Sequence, residues 1–159
     1  MIDLKNIDAI LKDAAVEAIN AISNGRSGID FTLPAAGQPF SANEGGDGVI
    51  SVSLSVEDPI ILKFSMKATR GLMISIAATA LDMPENEVGV EEYMDTGAEI
   101  LNVAAGTCAK KVLTEKLSFR LGLPEKNRDW NGTGIGVLAR CGFTRGAGGY
   151  ITFTLYAPE

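Results

Sequence analysis

A glutamate and an asparagine three residues apart, Glu99 and Asn102, have the clearest capacity for chemistry in this sequence. In a helix, residues with this spacing are separated by about 60° around the axis and about 4.5 Å along it, so both side chains share one face. A carboxylate can form a charge-assisted hydrogen bond to a lysine, and a neutral amide can both donate to and accept from water. The pair could therefore hold a basic partner group and orient a water molecule.

The same helix row extends in both directions, with Asp95 one turn before Glu99 and Gly106 one turn after Asn102. These four residues are called the polar row below. Glu99 and Asn102 each follow a residue of the predicted apolar seam directly, which turns them about 100° away from the core. We therefore expect a low, exposed strip that another surface can approach closely. Spacing alone also fits an ordinary solvated helix face, which is the commoner case.

The helix that must position the polar row is the longest helical pattern in the chain, over residues 90–117. Gly97 and Gly106 interrupt the pattern, and glycine lowers helix propensity. The predicted buried seam of this helix comprises Met94, Ala98, Leu101, Ala105, Cys108 and Val112.

The pattern along this helix is Asp95-x-x-x-Glu99-x-x-Asn102-x-x-x-Gly106-x-x-x-Lys110. It resembles the signature helix of the CheX branch of the CheC/CheX/FliY chemotaxis phosphatases, and the order of elements over most of the chain is similar to that family. The resemblance implies a phosphatase that hydrolyses the aspartyl phosphate of a CheY-like receiver domain without a covalent intermediate.

By the same resemblance, Asn102 orients the attacking water and Glu99 pairs with the active-site lysine of the receiver. The partner-binding strip would be the whole polar row. The resemblance further implies a homodimer. We expect Mg²⁺ to belong to the receiver partner and this chain to carry no metal or cofactor of its own, because its sequence shows no cluster of oxygen ligands. A noncatalytic receiver-binding or dimerisation module is the alternative function.

A second Glu-x-x-Asn pair, Glu17 and Asn20, lies in the first predicted helix. It lacks the downstream glycine pattern of the later helix, so we interpret it as a solvated helix face. The glycine-rich run at residues 132–136 superficially resembles a phosphate loop. No Lys-Ser/Thr follows it, and a turn explains it better.

Composition restricts the classes of function. The 159 residues include no histidine, which excludes Ser-His and Cys-His nucleophiles and the common zinc sites. A net charge of −6 with scattered basic residues argues against a nucleic-acid partner. No apolar run approaches the roughly 18 residues of a membrane helix, so we expect no membrane partner and a cytoplasmic protein. Cys108 and Cys141 are interpreted as reduced, small apolar residues.

We expect a single domain over residues 1–159. Helical spacing predicts two further helices, at residues 2–22 and about 72–81, and residues 125–131 are predicted to form a polar loop. Strands are predicted at residues 29–33, 49–56, 60–68, 118–123, 135–141 and 150–156. Strands grouped around hairpins favour a two-layer α+β fold, CheC-like by the resemblance, with a mostly antiparallel sheet and long helices packed on one face.

Overall fold

The computed structural model describes residues 4–32, 48–58, 60–113, 118–126, 136–146 and 149–157. Within these ranges the helices are α1 (Ile7–Ser23), α2 (Arg70–Leu81) and α3 (Val90–Val112), with a 3₁₀ turn at Glu85–Glu87. The strands are β1 (Val49–Asp58), β2 (Leu62–Thr69), β3 (Arg120–Leu121), β4 (Glu125–Lys126), β5 (Val137–Arg145) and β6 (Gly149–Tyr156).

These strands form one six-stranded sheet in the order β3-β1-β2-β6-β5, and β4 also pairs with β1. All of the pairings are antiparallel. The helices contact one another and pack on one face of the sheet: α1 lies on β5 and β6, α2 on β2 and β6, and α3 on β1 and β2. The predicted two-layer α+β class is confirmed.

The β1–β2 hairpin shows how alternation in the sequence sets the core. Its register runs from Val49 opposite Thr69 to Val56 opposite Leu62. Side chains at alternate positions are buried between the sheet and the helices, whereas serines of β1 point to the other face. The buried positions are Ile50, Val52, Leu54 and Val56 in β1 and Leu62, Phe64, Met66 and Ala68 in β2.

The strand predicted at residues 29–33 is wrong over the part that the structure describes, residues 29–32, which form an irregular turn. Local side-chain hydrogen bonds account for the difference. The backbone N–H of Ile29 donates to the Ser27 hydroxyl over 3.2 Å, and that of Thr32 donates to the Asp30 carboxylate over 2.9 Å. Such bonds occupy donors that a sheet ladder would need.

Helix ends also differ from prediction. The first helix begins at Ile7 rather than at residue 2, because Asn6 has a left-handed backbone with φ 58°. The long helix ends at Val112 instead of residue 117, because Leu113 is extended, with φ −83° and ψ 118°. Residues 114–117 lie outside the described residues.

The segment after α3 forms more structure than expected. The polar loop predicted at residues 125–131 is wrong at its start, where Glu125 pairs with Ser53 and Lys126 pairs with Val52 of β1. Leu121 of β3 pairs with Val56 of the same strand. The backbone edge of β1 offers donors and acceptors that this polar segment satisfies. The glycine-rich run at residues 132–136 lies outside the described residues except for Gly136.

Candidate functional site

The helix that carries the polar row is well suited to hold it. The Glu92 carboxylate accepts a hydrogen bond of 3.0 Å from the backbone N–H of Gly89, just before the first turn of α3. Acidic residues occupy that first turn, and Lys110 and Lys111 occupy the last one. Both arrangements stabilise a helix through its terminal backbone groups and its dipole.

Gly97 lies at the contact between α3 and the sheet. A Cβ atom at this position would stand 3.1 Å from the Met66 Cε and 3.4 Å from the Ile50 Cδ1. The glycine thus lets the helix approach the sheet more closely than a larger residue would. Two residues further on, at about 200° around the helix, Glu99 points away from that contact.

The polar row lies on the solvent side of α3. Asp95, Glu99 and Asn102 are exposed, and Gly106 is partly exposed. The predicted seam lies on the other side, where five of its six residues are buried and Ala98 is partly buried. The structure therefore brings the carboxylate of Glu99 and the amide of Asn102 to one accessible face.

Two contacts join the ends of the polar row to the segment that follows α3. The ammonium group of Lys126 in β4 pairs with the Asp95 carboxylate. At the other end, a Cβ atom on Gly106 would lie 3.5 Å from the Cδ1 of Leu121 in β3. Asp95 therefore already has a basic partner within the chain, whereas its predicted role was contact with another protein.

Sequence reasoning missed Lys126 and Leu121 as neighbours of the site. Lys126 is 31 residues from Asp95, and no helical or strand period connects positions so far apart. The strand predicted at residues 118–123 was the one available signal, because it indicated extended chain after the helix.

The second Glu-x-x-Asn pair, on α1, is also accessible. Glu17 and Asn20 are exposed, while the opposite side of α1 contributes Leu11, Ala14, Ala15, Ala18 and Ile19 to the core. Exposure therefore does not distinguish the two Glu-x-x-Asn pairs.

The two thiols are unsuited to nucleophilic chemistry. Cys108 is buried and Cys141 is partly buried, and neither forms a disulfide. Burial raises the pKa of each thiol from 9.0 to about 12. Because the thiolate is the nucleophile, both sulfurs stay unreactive at neutral pH.

The described residues lack two further features. These residues contain no group of three or more His, Cys, Asp or Glu side chains placed to hold a metal ion. No described helix combines the length and the apolar character that crossing a membrane requires.

Over the described residues, the architecture is two-layer α+β, with three helices on an antiparallel sheet. The longest of these helices carries an accessible carboxylate and amide pair. No family model and no curated protein matches the sequence. Solved structures do match over almost the whole chain, and they show that the chain has the fold of the CheX and CheC-like chemotaxis proteins.

Three of these structures illustrate the likeness. A CheX–CheY–BeF3–Mg²⁺ complex from Borrelia burgdorferi matches with a TM-score of 0.67 and 16% identity, over 100% of this chain and 100% of the matched chain. CheX from Desulfovibrio desulfuricans matches with a TM-score of 0.65 and 16% identity, over 96% of this chain and 99% of the other. CheX from Vibrio vulnificus gives a TM-score of 0.63 and 13% identity, over 98% and 99%.

Proposed function

We propose that this protein is a phosphatase that hydrolyses the aspartyl phosphate of a CheY-like receiver domain. The observation that carries the proposal is the exposure of Glu99 and Asn102 on one face of α3, in a chain with the CheX fold. The Borrelia burgdorferi structure, which contains CheX and CheY together with BeF3 and Mg²⁺, supports a receiver domain as the partner. We place the protein in a chemotaxis or related two-component pathway and expect it to act as a homodimer.

In this mechanism Asn102 orients the attacking water. Its side-chain oxygen accepts a hydrogen bond from the water, and its NH2 group donates to a neighbouring oxygen. The water oxygen bonds to phosphorus as the bond between phosphorus and the aspartyl oxygen breaks. Inorganic phosphate and the free aspartate of the receiver are released. Because an acyl phosphate is already reactive, positioning the water in line accelerates the reaction without a covalent nucleophile.

Glu99 fixes the position of the receiver. Its carboxylate forms a charge-assisted hydrogen bond to the active-site lysine of the receiver, which sets the register of docking. Asn102 is neutral, so it enters the phosphate pocket without adding negative charge there. The Mg²⁺ ion that such a receiver carries stays with the receiver.

The test is the decay of phosphate on receiver domains from the same genome, with and without this protein. We expect the wild-type protein to accelerate the decay on at least one receiver. In Asn102→Ala this acceleration should fall about a hundredfold or more, while the variant folds as the wild type does. Asn20→Ala is the matched control, because it removes the same amide from the exposed face of α1.

The outcomes separate the candidate functions. Equal acceleration by the wild type and Asn102→Ala would remove Asn102 from the mechanism. A loss of activity in Asn20→Ala would overturn our interpretation of the α1 pair as a solvated face. Binding of a receiver without faster decay would favour the noncatalytic binding module.

A further inference from the structure

The segment that runs beside the polar row, residues 121–126, is called the arch here. Both of its ends are attached to β1, where Leu121 pairs with Val56 and Glu125 pairs with Ser53. Next to Leu121, the backbone N–H of Gly122 donates a 2.7 Å hydrogen bond to the Ser55 carbonyl oxygen. The sheet therefore holds the arch in place at both ends.

The arch runs antiparallel to the polar row and has a similar length. Leu121 lies beside Gly106, and Lys126 is paired with Asp95. The eleven helical steps from Asp95 to Gly106 span about 16.5 Å, and the five extended steps from Leu121 to Lys126 also span about 16.5 Å. The middle of the arch is therefore level with Asn102 and its neighbours in the row.

Leu123 occupies this middle position. Its side chain is 88% exposed, the highest value among the exposed large apolar side chains of the described residues. The arch also borders a depression of about 550 Å³, whose other wall includes Leu54, Ser55 and Glu57. A single exposed leucine is ordinary on a protein surface. Here it stands next to the one helix face proposed to meet a partner, so that any surface docked on the polar row is brought close to it.

We propose that the arch is a second contact of the same docking surface, with Leu123 packing against an apolar patch of the phosphorylated receiver beside its phosphorylation pocket. This inference rests on the proposed function. Leu123 contributes affinity because its apolar side chain is buried on docking, whereas Glu99 and Asn102 act at the active site of the receiver. The ion pair between Lys126 and Asp95 positions the arch against α3.

The experiment measures KM and kcat for dephosphorylation of the receiver by wild type and Leu123→Ser. It also measures Kd for the same receiver loaded with BeF3 and Mg²⁺. We expect Leu123→Ser to raise KM and Kd about tenfold and to leave kcat unchanged, because burying a leucine supplies binding but no chemistry. Leu123→Met should retain wild-type values.

Val137→Ser is the matched control. Val137 is 50% exposed and lies on β5, at the opposite edge of the sheet from β3. We expect its KM and Kd to equal those of the wild type. A rise similar to that of Leu123→Ser would overturn the assignment of the arch as the contact.

The results distinguish a failure of the arch from a failure of the phosphatase. Unchanged KM and Kd in Leu123→Ser, with full wild-type activity, would overturn the arch and leave the proposed function intact. If receivers bind but are not hydrolysed, the Kd measurements still decide the role of Leu123. A fall in kcat alone would contradict a docking role, and absence of receiver binding by the wild type would overturn both proposals.

Discussion

An amide and a carboxylate on adjacent turns of a helix can have separate roles in hydrolysis, because each interacts with a different part of the partner. Asn102 can both donate and accept hydrogen bonds, so it suits a water and a phosphoryl oxygen. Glu99 carries charge, so it suits a lysine. The ion pair between Asp95 and Lys126 links the third polar side chain of the row to β4, and the Asp95 side chain remains exposed. Asp95 stays a predicted partner-binding residue, and its ion pair also holds β4 beside α3.

Charge reversal at Glu99 tests its proposed role in docking the receiver. We expect Glu99→Lys to raise KM for the phosphorylated receiver about tenfold to a hundredfold, because a charge-assisted contact is replaced by repulsion. The effect should shrink as ionic strength rises. Steady-state kinetics at low and high salt provides the measurement.

The control for this variant is Glu17→Lys, which makes the same change of net charge on the exposed face of α1. An equal rise in KM in both variants would show that overall charge, rather than a contact of Glu99, governs docking.

At the scale of elements, the close approach of α3 to the sheet depends on Gly97. We expect Gly97→Val to lower the free energy of unfolding by about 1–3 kcal/mol, because the added atoms meet Met66 and Ile50. Urea denaturation monitored by circular dichroism measures this change.

The matched control is Gly106→Val in the same helix. Gly106 is partly exposed, and a Cβ atom there would make an ordinary contact of 3.5 Å with Leu121. Its stability should stay within about 0.5 kcal/mol of the wild type. Valine is a better helix former than glycine, so propensity alone would not destabilise either variant. An equal loss at both positions would therefore contradict the assignment of the effect to the close contact at Gly97.

Elements with a clear period could be predicted from the sequence. The alternation of Ile50 to Val56 with serines located β1, and the apolar seam of α3 located the exposed polar row. The predictions that were wrong concern contacts that leave no periodic pattern in the sequence. Hydrogen bonds from Ser27 and Asp30 turn residues 29–32 away from a strand. β4 has only two residues, both charged, and its pairing with β1 depends on a strand far away in sequence.

The chain shares the CheX fold with solved structures to which it is only 12–18% identical. At this level few individual residues are shared, and different apolar residues can build one fold when the pattern of buried positions and the core volume are similar. This explains how the fold is shared with CheX structures although no family model matches the sequence.

The proposed homodimer is a property at this largest scale. We expect sedimentation velocity to give a mass of twice 16.7 kDa at the concentrations used for the activity assays. A single species with the mass of one chain at those concentrations would contradict the dimer.

The short strands that pair with β1 have a further consequence for solubility. An open edge of a sheet is a template for pairing with other chains, and short or charged edge segments protect against such aggregation. Here β3 and β4 cover one side of β1, and β4 does so with Glu125 and Lys126. A substitution that detached this segment would therefore uncover the edge of β1 and make the protein prone to aggregate.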